Sequence, residues 1–285
     1  MIWQAMLLQA GYNAALVSLG AALLGAAAGA AGAFLTLRRR ALMSDAMAHA
    51  TLPGVGLGFL AMVALGGDGR FLPGLMLGAA ATAVIGLWSV QRLSRQMHED
   101  AATGAVLASF YGAGVVILTL IQGLGAGRPA GLETVLLGST AGMLRADALV
   151  IGCGGLAVVG MLWVLRRPLA MVAFDPVHAS LMGVNPRRMD AALMALVLAV
   201  VLVGLNVTGL ILIVALLVTP AVTARLWSST VAGTAGLSAV LGAVCGYVGA
   251  AISAGVQDLP TGPVIVLLAA AAFAVSLLIR GRANG

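Results

Sequence analysis

AALVSLGAALLGAAAGAAGAFLTLRRR, residues 14–40, decides the fold class. Residues 14–37 pass without a charge, and three arginines end the run. About 20 apolar residues suffice for a helix to span a bilayer. The run is too long for the hydrophobic region of a secretory signal, and its basic cluster follows it instead of preceding it. The pattern recurs along the chain. Candidate spans are 13–37, 43–66, 71–90, 101–122, 146–165, 189–206, 208–224, 230–253 and 262–279. The seventh is short and interrupted by Pro220, which predicts a broken or re-entrant segment and leaves eight or nine crossings.

Composition agrees. Charged residues make up 8% of the 285 and hydrophobic residues 61%, whereas a soluble domain carries about 25% charge. So few charges cannot cover a water-exposed surface, which excludes a soluble enzyme and a disordered chain. The expectation is one all-α integral membrane domain over 1–285, a polytopic bundle of about nine transmembrane helices. The 39 glycines favour close helix packing over a lone anchor. Cys153 and Cys245 lie in apolar runs and read as small core residues. The scattered methionines read as filler, not as a thioether copper site.

All the basic residues are arginine. Arg38, Arg39, Arg40, Arg92, Arg95, Arg166, Arg167, Arg187, Arg188, Arg225, Arg280 and Arg282 fall on one side if the spans alternate. Arg70, Arg128 and Arg145 fall on the other. The positive-inside bias therefore puts the N-terminus outside and the C-terminus in the cytoplasm. That arrangement requires an odd number of crossings. The arginines form no single patch, which argues against nucleic acid as a partner.

Two stretches between spans carry their own signals. Gly123 to Arg145 reads as a turn, an interfacial helix around Leu132 to Leu137, and a second turn. Arg166 to Arg188 reads as the longest cytoplasmic loop and contains FDPVHASLMGVNP. There Asp175-Pro176 has the form of an N-cap and first helical position, and Gly183 that of a C-terminal stop.

Ionisable groups in a span are costly and mark function by default. In SDAMAH, residues 44–49, Asp45 and His49 are four apart and share a helix face. A carboxylate with an imidazole suits a first-row divalent cation. The same pair also fits a surface contact near the cytoplasmic helix end, and two ligands alone do not hold a metal. Pro53 and Gly54 follow one turn later, where they loosen the helix. His98, Glu99 and Asp100 open the fourth span, as helix-start acids or as a partner contact. His178 reads as a protein contact. Asn206 and Thr208 either line a path or turn the chain, and Asp258 reads as a cap of the last span. The chain has no HExxH, no GxSxG and no P-loop. A pump built on it needs its ATPase from another subunit.

Six segments in order resemble the permease subunits of the ABC-3 family of manganese, zinc and iron importers. They are RRRALMSDAMAHATLPGVGLGF (38–59), EDAATGAVLASFYGAGVV (99–116), LLGSTAGMLRADAL (136–149), FDPVHASLMGVNPRRMD (174–190), GLILIVALLVTPAVTAR (209–225) and DLPTGPVIVL (258–267). The resemblance implies a type II-like importer subunit in a bacterial plasma membrane. It implies two cytoplasmic ABC ATPase subunits, an extracytoplasmic metal-binding protein and a second permease copy or paralogue. It implies a transported divalent metal ion and no permanently bound cofactor. Phe174, Asp175, Pro176, Ala179 and Gly183 match its ATPase-coupling helix, and Asp45 and His49 its most polar intramembrane positions. Zinc-type members carry GDxxSH where this chain has Ser44-Asp45 and Ala48-His49, which leans toward manganese or iron. The alternative is the siderophore and cobalamin permease class, in which the Asp–His pair has no evident use. A secondary transporter is a further alternative, and it would need no ATPase.

Overall fold

A computed structural model describes residues 12–67, 69, 71–123, 145–256 and 259–283, with side chains apart from 13, 145–148, 206–208, 211 and 281–283. These residues form helices α1 (Tyr12–Leu37), α2 (Ala41–Ala64), α3 (Leu72–Leu93), α4 (Glu99–Gly123), α5 (Arg145–Phe174), α6 (Pro176–Leu181), α7 (Pro186–Trp227), α8 (Val231–Gly255) and α9 (Thr261–Ala283). Among the described residues eight segments are long and apolar enough to cross a membrane, and Leu212–Trp227 is a shorter apolar helix. At 1.5 Å per residue the short helix covers about 24 Å, less than a hydrocarbon core of about 30 Å. Large apolar side chains such as Leu77, Leu156, Trp163 and Leu267 are exposed along the spans. Water penalises such a surface, whereas lipid does not. The expected interfacial helix at Leu132 to Leu137 and Asp258 lie outside the described residues.

The helices form two compact units, Met1–Ala41 with Ser139–Gly285, and Leu42–Gly138. In the first, α1 is the central post and packs against α8, α7 and α5, while α9 packs on α7 and α8. Its Ala27, Ala28, Ala31 and Ala33 are almost fully buried. Small residues at four-residue spacing set the closest crossing. Ala21, Gly25 and Gly29 of α1 meet Gly246, Gly242 and Ser238 of α8 in antiparallel register. A Cβ added to Gly25 or Gly242 would overlap the facing backbone carbonyl. Hydrocarbon provides no hydrophobic drive between helices, so this close backbone approach supplies the attraction. The Ser238 hydroxyl donates to the Gly29 carbonyl at 2.7 Å across the buried seam.

The second unit uses the same device. Gly54 and Gly58 of α2 face Gly78 and Gly74 of α3, again antiparallel. Gly114 of α4 sits against Leu52 and Pro53.

Three expectations are corrected. The loop predicted from Arg166 to Arg188 is mostly helix, because α5 continues through Arg166, Arg167 and Pro168 to Phe174. Charge does not end a helix whose long arginine side chains extend to the interface. Likewise Pro220 lies inside a helix, and the interruption of α7 falls at Gly209, with φ 76° and ψ 168°. That conformation is essentially open to glycine alone, whereas a proline costs the helix only local bonding that packing offsets. Finally, Cys245 is buried as expected, but Cys153 is exposed on α5, where a thiol is compatible with an apolar solvent.

Candidate metal pair and docking helix

α2 runs unbroken through Pro53. Its i, i+4 spacing brings Asp45 and His49 together, with His49 Nε2 3.3 Å from Asp45 Oδ1. The side chains are 35% and 26% exposed, while Ser44, Ala48 and Thr51 on the same helix are fully buried. The pair thus occupies an accessible edge of an otherwise packed helix. His49 Nδ1 is buried with no hydrogen-bond partner among the described residues. Pro53 has no N–H to donate to the His49 carbonyl four residues back. The Thr51 hydroxyl donates to the Ala48 carbonyl at 2.6 Å.

Tyr111 of α4 sets its ring edge-on to the imidazole, with centroids 5.1 Å apart and an interplanar angle of 83°. This residue was not singled out in the sequence. Its signal there was weak: one amphipathic ring in an apolar span. Among the described residues no group of three or more His, Cys, Asp or Glu converges. Asp45 and His49 therefore stand as a pair, fewer donors than the coordination shell of a first-row divalent cation requires. Glu99 and Asp100 occupy the first turn of α4, where the helix dipole favours acids. His178 is exposed on α6, and the side chains of Asn206 and Thr208 lie outside the described residues.

The α5–α7 link is built as a rigid projection. Phe174 ends α5, and Asp175 caps α6 by accepting from the backbone N–H of Val177 and His178, both at 2.9 Å. Pro176 takes the first helical position. At the far end Gly183 has φ 81°, its N–H donates to Ser180, and that of Val184 to Ala179, at 3.1 and 2.9 Å. This is a Schellman motif, in which glycine avoids the left-handed penalty. Ala179 is fully buried, holding α6 down, while Phe174, Val177, Leu181 and Met182 are 64–80% exposed. Asn185 then caps α7 through the N–H of Arg187 and Arg188. The five residues matched by resemblance thus run from the end of α5 through the capped helix α6 to its C-terminal glycine, beside an exposed apolar face.

Below it the two arms are tied to α1. Arg38 donates through Nη1 to the Val172 carbonyl at 2.7 Å and through Nη2 to Asp190 Oδ2 at 2.8 Å. Arg40 Nη1 lies 3.3 Å from the same oxygen. Between them Arg39 adopts φ 56°, closing α1 by N–H bonds from Arg39 to Thr36 and from Arg40 to Leu35. A non-glycine residue there costs about 1–2 kcal/mol. Sequence reasoning treated these arginines only as topology markers.

The chain matches the ABC 3 transport family over residues 12–280. It belongs to that family. Against the manganese transport system membrane protein of Bacillus subtilis (strain 168) it is 34% identical over 268 residues, covering 93% of this chain and 60% of that one. Against the zinc transport system membrane protein of Treponema pallidum (strain Nichols) it is 37% identical over 266 residues, covering 92% of this chain and 87% of that one. Among solved structures, PsaBC from Streptococcus pneumoniae in complex with Fab superimposes with a TM-score of 0.82 at 29% identity. That match covers 97% of this chain and 95% of the other.

Proposed function

We propose that this ABC 3 family member is the permease subunit of an ATP-driven importer of a first-row divalent cation, with Asp45 and His49 binding the cargo. The observation that carries this reading is the carboxylate–imidazole pair on the accessible edge of α2. It is a costly arrangement for a span and a suitable one for such a cation. The names of the manganese and zinc transport relatives support the cargo class. The Ser44-Asp45 and Ala48-His49 pattern leans toward manganese or iron.

In this reading 1–285 is one permease domain in a bacterial plasma membrane, the N-terminus is outside, and α6 faces the cytoplasm. The exposed apolar face of α6, from Phe174 to Gly183, docks on a separate ABC ATPase. An extracytoplasmic binding protein delivers the ion, and a second copy or a paralogue completes the pathway and the ligand set. Cargo trades part of its hydration shell for Asp45 and His49 and leaves when ATP-driven rocking changes the ligand number. His49 coordinates as the neutral imidazole, so protons compete with the ion. The chain carries no resident cofactor and no catalytic residue.

The test is ATP hydrolysis by the complete complex in liposomes, with the binding protein loaded with Mn²⁺, Zn²⁺ or Fe²⁺ in turn. Stimulation by one of them, with uptake lost in His49→Ala, is expected. Absence of stimulation by all three overturns the reading.

A further inference from the structure

A cavity of about 520 Å³ opens between α1, α5 and α8. Its floor is made of side chains too small to fill it, among them Ala30, Ala235 and Gly236, and its walls include Phe34, Leu162 and Trp163. Arg166 and Arg167 also line it, and no acidic residue does. Arg166 is held in place by its contact with Trp163, 4.5 Å from guanidinium carbon to ring centroid. Neither arginine pairs with a carboxylate among the described residues.

Depth along α5 defines the site further. Phe174, where the chain leaves the helix for α6, is eight residues beyond Arg166, or about 12 Å. α5 is 30 residues long, about 45 Å, and exceeds a hydrocarbon core by about 15 Å. With that excess shared between the two ends, the backbone of Arg166 and Arg167 lies just within the core edge, and their long side chains reach headgroup depth. Trp163 is 63% exposed one turn deeper, as befits an interfacial anchor. An apolar groove facing a bilayer fills with lipid tails of any kind. Two arginines in its lining, with no carboxylate partner among the described residues, favour an anionic headgroup.

We propose that the α1–α5–α8 groove binds an anionic phospholipid, with the phosphate-bearing headgroup on Arg166 and Arg167 and an acyl chain along the alanine–glycine floor. Basic pockets between spans are a recurring recognition mode for such headgroups. Guanidinium suits it, as a planar fork that bonds phosphate oxygens in pairs. The proposal rests on α5 spanning a bilayer and is independent of the cargo.

The experiment uses the full chain in vesicles of phosphatidylcholine containing a minor fraction of phosphatidylglycerol, with either lipid brominated to quench tryptophan. The Trp163 signal is taken as the difference from Trp163→Phe. Preferential quenching by the brominated anionic lipid is expected, with a gain of about fivefold per arginine. The preference should fall to unity in the Arg166→Gln/Arg167→Gln double variant and survive in the Arg→Lys pair. Equal quenching by both lipids in the native chain, or a preference that persists without the arginines, overturns the proposal. Protection of Trp163 from both lipids also overturns it, placing protein on the groove. Quenching by either lipid establishes the span separately from the headgroup claim.

Discussion

Asp45 and Asp190 are both aspartates beside a cationic or potentially cationic group, and they are held in opposite ways. Asp190 accepts from Arg38 at 2.8 Å and lies 3.3 Å from Arg40, with 19% of its side chain exposed. Both partners carry permanent charge, and Arg38 is anchored again on Val172. Asp45 faces one imidazole at 3.3 Å, is 35% exposed, and its partner keeps an unsatisfied Nδ1. A carboxylate whose charge is already matched by two guanidinium groups at Oδ2 holds little net attraction for a passing cation. A carboxylate beside an imidazole, with no arginine on it, keeps donor atoms on an accessible edge. The contrast separates a structural ion pair from an exchangeable one.

The largest effect expected is on the exchangeable side. Asp45→Asn or His49→Ala should lower metal uptake more than about tenfold, since loss of groups merely supporting a ligand already costs 10–100-fold. The thermal midpoint in detergent should stay nearly unchanged, as for an accessible site outside the packing. Near-native uptake in either variant breaks the comparison. On the locked side Asp190→Asn should cost about 2–3 kcal/mol of stability, because it removes the negative charge that two partly buried guanidinium groups share. Denaturant unfolding of the purified chain measures it. An unchanged midpoint together with lost uptake would move Asp190 into the transport machinery. The smallest effect sharpens the joint between the two arginines. Arg39→Gly should stabilise by about 1 kcal/mol by removing the left-handed penalty, read as a small upward shift of the same midpoint. Destabilisation there would mean that the Arg39 side chain contributes more than its backbone costs.

Much of this was legible because it is local. The span predicted at 13–37 is the helix Tyr12–Leu37, and 101–122 is Glu99–Gly123. A long apolar run has only the helix in which to satisfy its backbone in lipid. Asp175, Pro176 and Gly183 declared the caps of α6, since capping needs particular residues at fixed offsets. The Asp45–His49 pairing followed from helical periodicity alone. The errors came where context overrode a local rule: arginines that did not stop α5, and a proline that did not break α7.

By itself, then, the sequence determined the membrane class, the helices, the caps of α6 and the shared face of Asp45 and His49. All of these depend on residues within a turn or a span of one another. Only the tertiary structure decided that Tyr111 packs on the imidazole and that Arg38 and Arg40 converge on a carboxylate far along the chain. It alone showed that Arg166 and Arg167 line a groove floored by other helices. Those contacts depend on which glycine and alanine ridges let the helix backbones approach, and such packing between distant segments is not written in the spacing of any single one.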